Sequence, residues 1–246
     1  MCSSDLLGIR VAGRPPLSAL EVFKRGSIEV QDEGSQIAAL LVDARPGMRV
    51  CDFCAGAGGK TLALSAAMEN QGHIVACDTS AKRLEGAKTR LRRAKAFNVE
   101  QRLLASERDQ WVKRHKHAFD RVLVDAPCTG TGTWRRNPDA KWVLSPGDVV
   151  ELAALQRRIL DSAQRLVKPG GRLVYVTCSL LKDEDEAQAE WFAQAHPEFA
   201  ALPVAAVWPA TVGGEAPNGD PYLVLTPAQH GTDGFFVAVF ERHADG

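Results

Sequence analysis

The chain has 246 residues and a mass of 26.6 kDa; 45% of residues are hydrophobic, 24% are charged, and 30 basic side chains balance 30 acidic ones. That composition excludes a disordered, collagenous or coiled-coil chain, and the length suffices for one domain that buries its own core without disulfides or metal. The longest uncharged apolar stretch, residues 200–208, is too short to cross a bilayer and contains Pro203; residues 1–10 lack the basic-then-apolar order of a signal peptide, so a cytoplasmic protein is expected.

Residues 1–45 read as a mixed lead-in, with Pro15-Pro16 and a helix expected over Glu33–Ala44, closed by Arg45-Pro46-Gly47. From residue 46 to 246 the pattern is that of one domain. Strands are expected at Arg49–Phe53, His73–Asp78, Val99–Leu104, Phe119–Asp125 and Arg172–Thr177, where short apolar runs are bounded by turn residues. Between them, Lys60–Glu69, Ser80–Phe97, Pro146–Val167 and Asp183–Ala195 carry helical periodicity. Such alternation predicts a parallel sheet with helices on both faces. Tyr222–Leu225 and Gly234–Glu241 follow without an intervening helix and predict an antiparallel pair at the edge. The expected architecture is a mostly parallel, seven-stranded α/β sheet, without internal repeats or low-complexity tracts.

In such sheets ligands bind beyond the carboxyl ends of the strands, where helix N-termini and loops converge. After the first strand comes Cys54-Ala55-Gly56-Ala57-Gly58-Gly59-Lys60-Thr61. Its glycines allow a sharp turn and close approach to a ligand, and the next helix presents free N–H groups. A phosphate-binding P-loop would need glycine where Cys54 stands, although Gly59-Lys60-Thr61 supplies its end and Asp125 could serve as the acidic strand terminus. The dinucleotide fingerprint also fails, because Thr61 stands at its third glycine. An acidic residue does end the second strand: Asp78 lies twenty residues after Gly58 and can accept both hydroxyls of a ribose. An adenosine-containing cofactor is expected.

The six cysteines are spread along the chain and are expected as free thiols. Cys51 and Cys54 form a C-x-x-C, but no second pair and no suitably spaced histidine accompanies them, so no metal is expected. Cys51 and Cys77 sit among apolar residues and read as small core residues, while Cys2 is uninformative. Cys128 and Cys178 differ: each follows the end of a strand, and both should face the cofactor crevice. Residues 179–246 hold eleven acidic and two basic side chains, net −9, which leaves +9 on residues 1–178, where a polyanion would bind. Solvated charge on both parts would give the same totals.

Phe53–Thr61, Asp125-Ala126-Pro127-Cys128-Thr129-Gly130-Thr131-Gly132 and Thr177-Cys178-Ser179 resemble, in order and spacing, the motifs of the RsmB/NOP group of RNA 5-methylcytosine methyltransferases. The segments 30–36, 134–142 and 233–236 are similar to the same family, so the resemblance covers roughly residues 26–242. It implies a class I methyltransferase (Rossmann-like) fold, S-adenosyl-L-methionine as cofactor, and RNA, most of all ribosomal RNA, as partner. By this resemblance Cys178 attacks carbon 6 of cytosine, Cys128 assists release of the methylated product, Asp125 contacts the cytosine edge, and Lys60 reaches the reaction centre. Cys54, Ala55, Gly56, Ala57, Gly58, Gly59, Lys60 and Asp125 would surround the cofactor, with Asp78 on its ribose. Two departures stand out: Ala57 replaces a usual proline, and Leu103-Leu104-Ala105-Ser106-Glu107 lacks the acid expected near the adenine.

Arg135, Arg136 and Lys141, between Trp134 and Trp142, are candidate RNA ligands, offering phosphate contacts and stacking surfaces; either tryptophan could instead be core. Lys82, Arg83, Lys88, Arg90, Arg92, Arg93 and Lys95 share one helix and read as a solvated face rather than an RNA contact. His115 and His117 receive no role. A monomer without a membrane partner is expected. Family members carry an RNA-binding region ahead of the catalytic domain, which residues 1–45 are too short to hold, so a truncated or minimal form is expected. A transfer RNA substrate, a P-loop-like NTPase and a catalytically idle RNA-binding module remain as alternatives.

Overall fold

Five strands pair in parallel: β1 (Arg49–Asp52), β2 (His73–Asp78), β4 (Phe119–Asp125) and β5 (Val167–Thr177), apolar enough to be buried on both faces, and β3 (Val99–Leu103), a polar strand at the edge. Three more, β6 (Phe199–Leu202), β7 (Leu223–Leu225) and β8 (Phe235–Arg242), complete a sheet of order β3-β2-β1-β4-β5-β8-β6, with β7 also on β8. The computed structural model describes residues 8–9, 11, 13, 15–208, 212, 214–217 and 221–244, so Cys2 lies outside the described residues.

The expected parallel sheet, its first four strands and its antiparallel carboxyl-terminal addition are all present. The edge differs. β7 and β8 do pair, but β8 lies inside the sheet, hydrogen-bonded to β5 on one side. On its other side, residues 235–237 take β7 and residues 239–242 take β6. Phe199–Leu202 is the eighth strand; its Phe-Ala-Ala-Leu run has weak strand preference of its own and is extended by its ladder with β8. β5 begins at Val167 rather than at Arg172, because the Lys168–Gly171 segment bulges out and re-enters the ladder, with Gly170 at φ +71°.

Alternating side chains divide the core between the two faces of the sheet. On one face Cys51, Val75, Cys77, Val122, Val124, Tyr175 and Phe240 pack against the helices Gln110–Arg114, Pro146–Ala163 and Glu186–Ala195 through Trp111, Ile159, Leu160 and Phe192. On the other, Val50, Ile74, Leu123, Val174 and Val239 meet Ile37, Leu41, Leu64 and Met68 from helices Glu33–Leu40 and Gly59–Ala67 and their ends. The chain is therefore part of the core from Ile37 onward. Cys51 and Cys77 are fully buried, as their apolar neighbours predict, and burial pushes the Cys51 thiol well up.

The remaining long helix, Ala81–Arg93, starts on Ser80, whose hydroxyl accepts from Arg83 N. It stops before the expected Phe97, with Lys95 in the left-handed region at φ +55°. No helix of the described residues is long and apolar enough to cross a membrane.

Candidate active site

The loop after β1 is built by three backbone ties. Ala55 N donates to Cys77 O at 2.8 Å, Gly56 N donates to Asp78 Oδ2 at 2.9 Å, and Ser80 N donates to Asp78 Oδ1 at 2.7 Å. The Asp78 carboxylate is thereby fixed while each oxygen keeps a lone pair for a ribose hydroxyl. Gly58, at φ +79°, turns the chain into the Gly59–Ala67 helix, whose first amides have no side-chain cap. That helix end favours a carboxylate. The open, amide-lined loop and the fixed acid fit the methionine and ribose ends of S-adenosylmethionine.

Beneath the loop, Asp52 is fully buried at the end of β1. Thr61 Oγ1 donates to its Oδ2 at 2.7 Å, and its Oδ1 has no hydrogen-bond partner. Burial raises its pKa to about 7, and the nearby Asp125 and Asp78 add to the rise. Sequence reasoning passed over this pair because Asp52 reads as the polar end of a strand. It also passed over Arg90, which does not merely face solvent: its Nη1 donates to Ala57 O at 2.8 Å and its Nε pairs with Glu29 at 3.4 Å.

Lys60, 8% exposed, extends from the first turn of its helix to Asp125 at the end of β4, with Nζ 2.8 Å from Oδ2. The same ammonium lies 5.2 Å from the centre of the Phe235 ring. β4 and β5 are neighbours, so the loops that follow them meet. Cys128 Sγ and Cys178 Sγ are 3.4 Å apart, within S–H···S hydrogen-bond distance. The two thiols shift in opposite directions. The contact with Cys128 lowers the Cys178 pKa against burial and the nearby Asp125 charge, while the same contact and burial push Cys128 well up. The environment thus favours the thiolate on Cys178 over that on Cys128.

Two adjoining sets of contacts hold these loops. Gly132 N donates to Cys178 O at 2.9 Å, and Gly234 N donates to Gly132 O at 2.8 Å. The last two glycines touch through their backbones, and a Cβ on Gly132 would lie 2.5 Å from Gly234 O. On the other side, Glu184 accepts from Thr129 N at 2.9 Å and Thr129 Oγ1 at 2.5 Å, and from Gln156 Nε2 at 3.0 Å. Glu184 hides in the acidic run Asp183–Glu186, which reads as the solvated start of a helix; nothing local marks it as buried.

Arg135 and Arg136 do not stand free. Arg135 Nε donates to Asp233 Oδ1 at 3.0 Å and Arg136 Nε to Asp233 Oδ2 at 2.6 Å, and Arg135 also reaches Asp32 at 3.3 Å. Asp233 is fully buried, so the two guanidiniums cover an otherwise isolated carboxylate. Each nevertheless keeps an exposed edge. Lys141 Nζ lies 4.6 Å from the centre of the Trp142 ring, and Trp142 is 78% exposed and not core. Trp134 is half-buried. Among the described residues no group of three or more His, Cys, Asp or Glu side chains could hold a metal ion.

A mostly parallel sheet with an antiparallel carboxyl-terminal addition, a glycine loop after β1 and an acid ending β2 define a class I, S-adenosylmethionine-dependent methyltransferase domain. The chain belongs to the 16S rRNA methyltransferase RsmB/F family, whose model matches residues 39–241. It is 36% identical over 231 residues to ribosomal RNA small subunit methyltransferase B of Pasteurella multocida, covering 92% of this chain and 49% of that protein. It is 34% identical over 226 residues to ribosomal RNA small subunit methyltransferase F of Escherichia coli O9:H4, covering 91% and 46%. The crystal structure of NSun6 from Pyrococcus horikoshii with SFG, an S-adenosylmethionine analogue, superposes with a TM-score of 0.80 at 25% identity, over 94% of this chain and 57% of that one. The chain thus spans about half the length of the curated relatives it matches.

Proposed function

We propose that this chain transfers a methyl group from S-adenosylmethionine to carbon 5 of a cytosine in RNA, and that the RNA is ribosomal. The observation that carries this reading is the pair of unlike thiols 3.4 Å apart beside the Lys60–Asp125 ion pair. Carbon 5 of cytosine is a poor nucleophile. Addition of the Cys178 thiolate to carbon 6 forms a carbon–sulfur bond and moves the ring's electron pair to carbon 5, with Asp125 against the cytosine edge, where it would accept from the exocyclic amine and orient the ring. The bound cofactor supplies an electrophilic methyl group, which carbon 5 takes. Loss of the carbon 5 proton to a base then returns the electron pair to the ring and breaks the bond to Cys178.

Cys128 Sγ, 3.4 Å from Cys178 Sγ, would donate to the departing thiolate and so assist release. Gly56, Gly58, Gly59, the flanking Cys54, Ala55 and Ala57, and Asp78 would hold the cofactor, while Lys60 keeps Asp125 oriented and offsets part of its charge beside Cys178. Arg135, Arg136 and Lys141 would take phosphates along the exposed rim, with Trp142 as a stacking surface for an unpaired base. The target base has to leave its stack to reach Cys178. Ribosomal RNA is favoured by the names of the relatives. Bisulfite sequencing of total RNA from cells with and without the gene tests the reading. Loss of one or a few discrete cytosine signals in small-subunit ribosomal RNA is expected, and an unchanged map would sink it.

A further inference from the structure

We propose that Glu184 is a positioning residue that holds Cys128 against Cys178 and thereby governs release of the methylated product. This rests on the role given to Cys128 above. Glu184 is fully buried, and its carboxyl group meets three donors, Thr129 N, Thr129 Oγ1 and Gln156 Nε2, with no cation among the described residues paired to it. A buried carboxyl group persists in such a place only when its acceptors are satisfied. Its own backbone is fixed to the strand that delivers Cys178: Tyr175 OH donates to Glu184 O at 2.6 Å, and Glu184 N donates to Leu181 O at 2.9 Å.

The consequence falls on Cys128. Ala126 N donates to Val176 O at 2.9 Å, Pro127 O accepts from Gln156 Nε2 at 3.0 Å, and Thr129 is held by Glu184. Both neighbours of Cys128 are therefore pinned, on the carboxyl side by Glu184 directly and on the amino side by the Gln156 amide that Glu184 holds. A closed frame runs from Cys178 down β5 to Tyr175, across to Glu184, through Thr129 and back to Cys128. The distance between the two sulfurs is set by that frame. Cys178 follows directly on the β5 ladder, whose last residue Thr177 pairs with Phe236, so loosening Glu184 should free one sulfur and leave the other.

The test measures iodoacetamide alkylation of each cysteine by mass spectrometry on the whole chain without RNA, and covalent RNA complexes in the presence of ribosomal RNA and S-adenosylmethionine. Glu184→Gln keeps the shape but turns a donor against Thr129 or Gln156; Cys128 alkylation should rise about tenfold relative to Cys178, as for loss of one hydrogen bond to a charged group, and the covalent complex should accumulate. Thr129→Val, a milder change, should move both readouts the same way, and Thr129→Ser should restore them. An unchanged ratio, or both cysteines speeding up together, overturns the proposal. If instead Cys128→Ala traps RNA and Glu184→Gln does not, Glu184 is not the residue that sets Cys128. If no variant traps RNA but the alkylation ratio shifts, the positioning stands and the covalent reading falls.

Discussion

Cys178 and Cys128 are chemically alike and differ only in their surroundings, and on the proposed mechanism that difference assigns attack to one and assistance to the other. The contact between the two sulfurs lowers the Cys178 pKa, and the same contact together with burial raises that of Cys128, so the thiolate is favoured on Cys178. Replacing Cys178 with alanine removes the nucleophile. Methyl transfer should fall on the order of 10³-fold or more, with no covalent RNA complex on a denaturing gel. Cys128→Ala should do the opposite on that gel, leaving carbon–carbon bond formation intact while the adduct accumulates. If the two outcomes were exchanged, the roles would be reversed. The same asymmetry has a pH signature. Removing Cys128 withdraws the largest cause that lowers the Cys178 pKa, so the midpoint of Cys178 alkylation by iodoacetamide should move to higher pH in Cys128→Ala. A midpoint that stays or falls would show that Lys60 alone sets Cys178.

At the scale of elements, the site is assembled where backbone meets backbone, and Gly132 against Gly234 is the tightest such contact. Gly132→Ala would place a Cβ 2.5 Å from Gly234 O and 2.7 Å from its Cα, with no flexible side chain to yield. A loss of about 1–3 kcal/mol in denaturant unfolding is expected, together with weaker methyl transfer as Phe235 moves from Lys60; a variant as stable as the wild type would mean the two segments separate easily. This contact joins positions a hundred residues apart and could not be read from either segment. What was legible is local: the apolar runs of β1 to β5, the glycine turn, the acid ending β2, and two cysteines each placed after a strand. What was not legible depends on partners distant in sequence. Phe199–Leu202 becomes a strand only because β8 offers it a free edge, and β8 is internal only because β6 and β7 share its outer side. Arg135 and Arg136 carry the basic signature of a nucleic-acid ligand, and nothing near them announces Asp233, their buried partner. Glu184 is disguised in the same way, by three acidic neighbours.

Across the whole molecule two sets of acids have opposite effects on stability. Glu29, Asp43 and Asp120, at ion-paired positions, have pKa values below their ordinary ones; each contributes stability that is present above the unfolded pKa and is lost on acidification. Asp52 and Asp185 lie beneath the two functional loops, one bonded to Thr61 and the other to Thr177, and burial raises both to about 7 from 3.8. For these the sign is reversed. The folded state holds a proton that the unfolded chain releases near pH 4, so their contribution is full below that value. It declines as pH rises toward about 7 and levels off above. The floor of the cofactor loop is therefore least stable near neutral pH, consistent with a site that gives up stability to keep a polar group under its ligand. Asp52→Asn removes one titration from this set without removing the side chain's bulk. Relative to wild type it should gain about 1 kcal/mol or more in unfolding free energy between pH 5 and pH 8, measured by urea denaturation at both pH values. A mutant difference that is the same at both would mean that Asp52 is already ionised in the folded protein at pH 5.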